Sequence, residues 1–147
     1  MNLQICPPGW QGVLDSCILF SAPFDLETLD NATERCKELS PHARLFEPRS
    51  LWINNLVFNL AKQNGFFEES CCAWLGLNDV NEEGKFLLAS TGVPITFSNW
   101  KNGEPDGGTG QNHVAFHKDY DGKWVDTTKT YKLQKNKMLF ICEISLV

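Results

Sequence analysis

The stretch Ala73-Trp74-Leu75-Gly76-Leu77, at the middle of the chain, determines how the rest of the sequence is interpreted. Five consecutive residues without a charge, at strand length, predict a buried strand. The segments before it show helical periodicity, whereas those after it are short apolar runs separated by turn residues. The chain therefore divides at this strand into a helical first half and a strand-rich second half.

Two helices are predicted in the first half. The first runs from Glu27 to Ser40 and ends at Pro41. The second opens at residues 47–50 and runs to about Asn64, with Gly65 as its stop signal. The predicted inner stripes are Leu29, Thr33 or Ala32, Cys36 and Leu39 in the first helix, and Trp52/Ile53, Leu56/Val57 and Leu60/Ala61 in the second.

The remaining segments read as a hairpin and short strands. A turn at 6–10 leads into a hairpin over 13–20, and further strands are predicted at 86–88, 95–97, 113–117, 123–125 and 138–143. Between Trp100 and Gln111 the chain is a polar, glycine-rich loop. We therefore predict one α+β domain over residues 1–147, with two helices packed on short antiparallel sheets. Long loops of this kind in compact domains usually carry function.

Composition excludes some partners. The chain of 147 residues has 13 basic and 18 acidic side chains and a net charge of -5. This balance argues against nucleic acid and anionic membranes as main partners. No apolar run approaches the roughly 20 residues that a membrane span needs.

Six cysteines, an even number, favour disulfides and a secreted, extracellular protein. The alternative is a cytosolic protein with free thiols or a metal site, but no Cys-x-x-Cys pair supports a zinc ribbon. Residues 1–4 lack the features of a signal peptide, which fits either a cytosolic protein or one whose signal has been removed. The cysteines favour the second option. Asn31-Ala32-Thr33 is a glycosylation sequon on the predicted outer face of the first helix.

Four motifs occur in a specific order: Trp74-Leu75-Gly76-Leu77, Phe97-Ser98-Asn99-Trp100, Glu104-Pro105-Asp106 and Trp124-Val125-Asp126. Each is weak alone, but in this order the chain resembles the C-type lectin-like domain over nearly its whole length. The resemblance implies the long form of that fold, with Cys6 paired to Cys17 and Cys36 to Cys142. By loop-closure entropy, the second pair is worth about 4–5 kcal/mol and the first roughly 3 kcal/mol.

The resemblance also implies a calcium ion on the long loop that binds sugar directly. Glu104 and Asp106 would flank a cis proline, Gln111 or Asn112 would stand in a ligand position, and Asp126 would supply two oxygens. Calcium takes six to eight oxygen ligands, so two sugar hydroxyls would complete the shell.

Two departures from the family pattern affect this site. Val125 stands where the family places an asparagine ligand, which predicts weaker calcium binding. Glu104-Pro105-Asp106 has two carboxylates and no amide donor, so neither the mannose-type nor the galactose-type rule assigns the sugar. An acidic solvated loop without an ion is the alternative.

A second cation position of the family is matched less well. Asp79 and Glu83 match two of its ligands, whereas Gly107 replaces a third and Asn112 replaces an acidic one. An ordinary polar turn is the slightly favoured interpretation of residues 79–84.

The family resemblance assigns no disulfide partner to Cys71 or Cys72. The family's other internal disulfide is missing, since His113 stands at its first cysteine. Adjacent Cα atoms lie about 3.8 Å apart, whereas ordinary disulfides span about 4.4–6.8 Å. A vicinal disulfide and an interchain disulfide in a homodimer are therefore ranked equally, ahead of two free thiols.

Two weaker patterns remain. His113 and His117 share one face of a strand, where zinc could use both, although a structural role is more usual. Six lysines give the last third a basic character that an anionic glycan could use, although a solvated loop is the commoner outcome: Lys118, Lys123, Lys129, Lys132, Lys135 and Lys137.

These features predict a secreted lectin that binds microbial or cell-surface glycans through calcium, as in innate immunity. The alternative is a calcium-independent module that binds a protein or another macromolecule. An enzyme is not expected: Glu104 and Asp106 lie two residues apart on one loop, and no Gly-x-Ser-x-Gly or His-Glu-x-x-His motif occurs.

Overall fold

The structure, a computed structural model, describes residues 5–105, 112–127 and 137–146. Its elements follow the predicted order of a hairpin, two helices and then strands. In chain order they are β1 (Gln11–Val13), β2 (Ser16–Phe20), α1 (Leu29–Leu39), β3 (Arg44–Leu45), α2 (Leu51–Gln63), β4 (Cys72–Asn78), β5 (Leu87–Leu88), β6 (His113–His117), β7 (Trp124–Thr127) and β8 (Leu139–Ser145). The α+β prediction is confirmed.

The strands form a mixed sheet in the order β1-β2-β8-β4-β6-β7, with β3 paired to β8 and β5 paired to β4. All of these pairings are antiparallel except β4 with β8, where Ala73 lies beside Leu139 and Trp74 beside Phe140. The prediction of purely antiparallel sheets is therefore wrong at this junction. A parallel pair needs a long connection, and the whole segment between β4 and β8 provides it.

Alternation along the central strands divides the core into two clusters, one on each face of the sheet. Leu75 of β4, Phe116 of β6 and Ile141 of β8 lie in the cluster that also contains α2 residues. Trp74 and Phe140, each one residue earlier in its strand, lie in the cluster that contains α1 residues. The uncharged stretch at 73–77 is thus buried on both faces, as its composition predicts.

The helices begin at hydroxyl caps rather than at the acidic residues of the predicted starts. Thr28 accepts a hydrogen bond from the backbone N–H of Asn31, and Ser50 accepts one from that of Ile53. Two members of the predicted stripes are exposed: Leu39 by 52% and Trp52 by 69%. The other predicted positions include the buried Ala32 and Cys36 of α1 and Val57 and Ala61 of α2, whereas the buried Asn54 and Phe58 of α2 were not predicted.

The strand motif needs a glycine at position 76, because the surrounding backbone leaves no room for a side chain there. A Cβ atom at this position would lie 2.9 Å from the backbone oxygen of Leu45. The space is taken because Gly76 N–H donates to Phe46 O and Gly76 O accepts from Ala89 N–H, each at 2.8 Å. The motif therefore brings three chain segments to backbone contact distance.

The predicted strand at 95–97 is not formed. An isolated bridge joins Pro94 to Leu87, and Ile95 N–H donates to Phe86 O at 3.2 Å. Phe97 packs its ring against Trp124 instead. Conversely, the two-residue strand β3 was not predicted, because two residues carry no periodicity. Among the helices of the described residues, none has the length and apolar character needed to cross a membrane.

Three disulfides are formed. Cys6–Cys17 and Cys36–Cys142 are the pairs that the resemblance implies. Cys71 and Cys72 bond to each other, which resolves the alternatives left by the sequence in favour of the vicinal pair.

Candidate functional site

The start of the long loop is fixed to the edge of the sheet by backbone hydrogen bonds and aromatic packing. Lys101 N–H donates to Trp124 O at 2.9 Å, and Trp124 N–H donates to Asn99 O at 2.8 Å. The Trp100 and Trp124 rings meet edge to face with centroids 5.5 Å apart. These contacts explain the Phe97–Trp100 and Trp124–Asp126 motifs: they hold one end of the loop against β7.

A buried asparagine on α2 supports the same region from beneath. Asn54 is fully buried; its amide donates to Gly122 O at 2.9 Å, and its carbonyl accepts from Trp124 Nε1 at 2.8 Å. Asn99 Nδ2 also donates to Gly122 O, at 2.8 Å. Sequence analysis missed Asn54, although an asparagine inside an otherwise apolar stretch of helix is a signal that a buried polar partner exists.

Glu104 lies three residues after Lys101, and its peptide bond to Pro105 is cis, as the resemblance implies. Glu104 N–H donates to Lys101 O at 2.9 Å, which continues the ordered part of the loop. Glu104 and Asp126 line one cavity of about 210 Å³, with Thr127, His117 and Tyr120 among its other walls. The structure thus brings together two of the predicted calcium ligands.

Asp126 also lies near the second predicted cation position. Loss of hydration and the negative charges of Asp79 and Asp126 together raise the pKa of Glu83. Asp79 is only 2% exposed, and its backbone N–H donates to Asn112 O at 3.0 Å. Asp79, Glu83, Asn112 and Asp126 therefore share one region, where the carboxylates repel one another and favour a bound cation.

The carboxylates do not form a closed cage. Among the residues that the structure describes, no three of the groups Asp79, Glu83, Glu104 and Asp126 bring their oxygens within 4.8 Å of one another. Two further predicted ligands, Asp106 and Gln111, lie outside the described residues. Val125 pairs with Ala115 in the β6–β7 ladder and offers no side-chain oxygen.

A second group of metal-binding side chains lies at the far end of the cavity. Cys71, Cys72 and His117 each place one possible ligand atom within 4.8 Å of the others. Cys72 and His117 are direct neighbours across β4 and β6. The structure therefore joins His117 to the vicinal cysteines, a grouping that the prediction of a His113–His117 zinc pair did not contain.

A larger cavity, of about 410 Å³, lies beside α1 and is lined by Lys37, His42, Arg44 and Glu47, among others. Its buried carboxylate, Glu47, is already engaged: Ser90 donates to it through both its backbone N–H and its hydroxyl, and Arg44 Nε lies 3.3 Å away. Burial raises the pKa of Glu47, with these donors and Arg44 opposing the shift. Because Glu47 is already paired with Arg44 and Ser90, we interpret this carboxylate as structural.

The other predicted sites are only partly described. Asn31 is exposed at the first turn of α1, where a glycan can be accommodated. Of the six lysines predicted to form a basic region, Lys118, Lys123 and Lys137 are described, and Lys129, Lys132 and Lys135 lie outside the described residues.

The sequence is similar to tetranectin and to a tetranectin-like protein. It is 40% identical over 70 residues to a tetranectin-like protein of Carcharhinus perezii, covering 48% of this chain and 39% of that protein. It is 29% identical over 146 residues to tetranectin of Mus musculus, covering 97% of this chain and 66% of that protein. The matches thus span between about a third and two thirds of the curated relatives. No protein-family model matches the sequence.

Solved structures share the fold. The C-type lectin CEL-I of Cucumaria echinata superposes with a TM-score of 0.82 at 23% identity, over 98% of this chain and all of that one. The mouse scavenger receptor C-type lectin carbohydrate-recognition domain superposes with a TM-score of 0.76 at 26% identity, over 95% and 98% of the two chains. A calcium-independent type II antifreeze protein gives a TM-score of 0.78 at 17% identity, over 99% and 98%.

These proteins are named for binding rather than for catalysis, in agreement with the prediction of a non-enzymatic domain. The order of elements, the two disulfides that close the domain and the tryptophan-anchored loop agree with the same assignment. The chain is a C-type lectin-like domain.

Proposed function

We propose that this domain is an extracellular carbohydrate-binding module that uses a calcium ion. Glu104 and Asp126 would hold the ion together with Asp106 and with Gln111 or Asn112. Vicinal hydroxyls of a microbial or cell-surface glycan would complete its coordination shell.

The observation that carries this proposal is the placement of Glu104 and Asp126 on one cavity of about 210 Å³ beside an anchored loop. The two residues are 22 positions apart in the sequence, and the Trp100–Trp124 contact brings their segments together. The similarity to a domain named for carbohydrate recognition supports the same function.

A second calcium ion at Asp79 and Glu83 is part of the proposal. The raised pKa of Glu83, caused by loss of hydration and by the charges of Asp79 and Asp126, indicates that negative charge accumulates there. A divalent cation would relieve that repulsion and would bind more tightly if the loop ion were also present to order Asp126.

Calcium titration by isothermal calorimetry on the wild type and on the double variant Glu104→Gln/Asp126→Asn tests the proposal. The variant keeps size and shape while removing two charges. We expect calcium binding in the wild type and its loss in the variant. Glu82→Gln is the matched control, since Glu82 is exposed and pairs only loosely with Lys85, at 3.9 Å between charged atoms. Equal heats in all three proteins would refute a calcium site on this loop.

A glycan array then separates ion binding from sugar binding. Binding in calcium that disappears in chelator, and in the double variant, is the expected result. Retention of the same glycans in chelator would mean that calcium plays no part in recognition.

The second candidate is a calcium-independent module that binds a protein or another macromolecule. Val125 in a ligand position favours it, because this residue removes a side-chain oxygen from the shell. The fold is also compatible with calcium-independent binding, as the similarity to the antifreeze protein indicates. This candidate predicts a partner whose affinity is the same for wild type and for Glu104→Gln/Asp126→Asn, measured by surface plasmon resonance.

Secretion and glycosylation belong to the same proposal. Three disulfides within 147 residues are typical of oxidising compartments. Expression through the secretory pathway should give a glycan at Asn31 that Asn31→Gln removes, seen as a mass difference.

A homodimer would add the multivalency that weak single sugar sites need. Light scattering on the purified chain tests whether the domain dimerises.

A further inference from the structure

The pair of adjacent cysteines and a neighbouring histidine form a cluster that the calcium-based function does not use. Cys71, Cys72 and His117 each have one ligand atom within 4.8 Å of the other two. In the structure the two sulfurs are bonded to each other, so they cannot ligate a metal as thiolates. Reduction would release two adjacent thiols next to an imidazole.

We propose that reduction of the Cys71–Cys72 disulfide creates a zinc site made of both thiolates and the imidazole of His117. The domain would thus hold a soft-metal site that is closed when oxidised and open when reduced. It uses none of the proposed calcium ligands, although Cys72 and His117 line the same cavity as Glu104 and Asp126.

The arrangement of ligands is close to what zinc requires. Zinc–sulfur bonds of about 2.3 Å and zinc–nitrogen bonds of about 2.0–2.1 Å in a tetrahedral site place the ligand atoms about 3.5–3.8 Å apart. The His117 ligand nitrogen lies within 4.8 Å of both sulfurs, whereas the two sulfurs are bonded to each other and must move apart to reach this spacing after reduction. Two thiolates and one imidazole are ligands that zinc prefers.

The histidine is positioned by the sheet and by its neighbours. His117 lies opposite Cys72 in the β4–β6 ladder, and Lys118 N–H donates to Cys71 O at 2.8 Å. Its Nδ1 accepts a hydrogen bond from Asp119 N–H at 3.2 Å, so the neutral ring carries its proton on Nε2 in the oxidised protein. Metal binding through Nε2 therefore requires the other tautomer, with the proton on Nδ1. Burial is the main cause of a lowered pKa of His117, so the imidazole is neutral at physiological pH, as a metal ligand must be.

Cys72 and His117 line the cavity that Glu104 also lines, so a water molecule from this cavity could fill a fourth coordination position beside the three protein ligands. Asp119 Oδ2 lies 3.9 Å from His117 Nδ1, beyond hydrogen-bond distance, and would have to move closer to accept a hydrogen bond from Nδ1–H when Nε2 binds the metal.

The reaction balances with a dithiol as the reductant. Two electrons and two protons pass from the dithiol to the Cys71–Cys72 bond, giving two thiols, and the dithiol becomes a disulfide. Zinc binding then displaces one proton from each thiol. The Cys36–Cys142 sulfurs are almost fully buried, whereas Cys71 is half-buried, as is Cys6 of the Cys6–Cys17 pair. Peptide mapping of the alkylated protein must therefore show that the two thiols released are Cys71 and Cys72.

Cobalt(II) titration tests the proposal, because thiolate–cobalt charge transfer is a direct absorption signature of sulfur ligation. The protein is reduced with dithiothreitol until two thiols per chain react with a thiol reagent, desalted without oxygen and titrated. We expect one cobalt per chain with a thiolate band in reduced wild type, and no band in oxidised wild type. Cys71→Ser/Cys72→Ser, treated identically, should give no band, and zinc should displace the cobalt.

Two further variants keep the result decisive. His117→Ala should weaken cobalt affinity by more than about tenfold. Loss of a group that only hydrogen-bonds to a metal ligand already costs about that much, and His117 is proposed as a direct ligand. Cys71→His leaves Cys72 as a thiol without any reduction and keeps the other disulfides, so it should bind cobalt with a thiolate band in the oxidised, folded protein. A band of equal strength in Cys71→Ser/Cys72→Ser, or its absence from both reduced wild type and Cys71→His, would overturn the proposal.

Discussion

Asp126 is the residue at which the two predicted cation positions meet. It lines the cavity with Glu104, and its charge contributes to the raised pKa of Glu83. It is 6% exposed, and an unbalanced carboxylate at that depth is costly. A residue with this placement should affect both ions, whereas Glu104 should affect only one.

Single substitutions separate these roles. Asp126→Asn should weaken all calcium binding by about tenfold or more, because it removes one full charge at partly buried contact distance. Glu104→Gln should weaken only the ion on the long loop. Calorimetric titration of both variants checks this prediction. Identical titration curves for the two variants would show that Asp126 serves one site alone.

Glu83 gives a prediction about pH. Its pKa is raised in the folded chain, through lost hydration and the charges of Asp79 and Asp126. A raised folded-state pKa contributes stability at low pH that is lost as the pH rises through that pKa. Without calcium, Glu83→Gln should therefore raise the melting temperature at neutral pH, and the gain should disappear in acid.

In calcium at neutral pH, Glu83→Gln should instead lower the melting temperature, since the ion needs the carboxylate that the substitution removes. Thermal unfolding followed by circular dichroism, in chelator and in calcium, measures both conditions. Glu82→Gln is the control and should change neither curve, because Glu82 is exposed and faces Lys85. A lower melting temperature for Glu83→Gln in chelator at neutral pH would contradict the prediction.

At the scale of elements, the functional loop depends on helix α2. Asn54 connects the helix to Gly122 O and to Trp124 Nε1, and Trp124 in turn fixes Lys101 and Asn99 by backbone hydrogen bonds. A polar side chain in the core is costly unless it is fully paired, and here its pairing specifies where the loop begins.

Asn54→Ala should destabilise the fold by about 1–3 kcal/mol, because it leaves the buried Trp124 Nε1 without its acceptor. Gly122 O keeps its bond from Asn99, so that carbonyl adds little to the loss. Urea unfolding measures the change. Asn59→Ala on the exposed side of the same helix should stay within about 0.5 kcal/mol of wild type. A similar loss in both variants would mean that helix propensity, not the Trp124 contact, is responsible.

A second feature at this scale is the irregularity in the β4–β6 ladder, where the register shifts between Leu75 and Asn78. Bulges of this kind turn a strand end toward a new direction and often lie next to binding sites. Here the shift ends β4 beside Asn112, so that Asp79 N–H donates to Asn112 O. No pattern in the sequence marks this irregularity.

At the scale of the whole molecule, the two disulfides that the resemblance implied differ in what they close. Cys36–Cys142 joins α1 to β8 over 106 residues, whereas Cys6–Cys17 closes the N-terminal hairpin over 11. In the loop-closure account, the stabilisation grows with the length of the closed segment. The larger loop runs from within α1 to β8 and includes α2 and the candidate binding region.

Removing the Cys36–Cys142 disulfide should therefore lower the free energy of unfolding by more than removing the Cys6–Cys17 disulfide. We expect Cys36→Ala/Cys142→Ala to lose about 4–5 kcal/mol and Cys6→Ala/Cys17→Ala roughly 3 kcal/mol, measured by urea unfolding with fixed slopes. A larger loss from the hairpin pair would show that native packing, not loop closure, sets the order.

The sequence by itself determined the class of fold, the order of the elements and two of the three disulfides. The class of fold and the order of elements follow from local signals: the uncharged strand at 73–77, the helical periodicity before it and the short apolar runs after it. The two disulfides, and Glu104 and Asp126 as partners in one site, follow from the resemblance that the spaced motifs carry.

Only the tertiary structure decided the rest, because it depends on contacts between segments that are far apart in the chain. The parallel β4–β8 pairing, the buried Asn54 and the shared position of Asp126 are of this kind. The bond between Cys71 and Cys72 joins adjacent residues, and the sequence left it open because a vicinal and an interchain disulfide were ranked equally. The grouping of His117 with the two cysteines arises from strand register, which a single sequence does not specify.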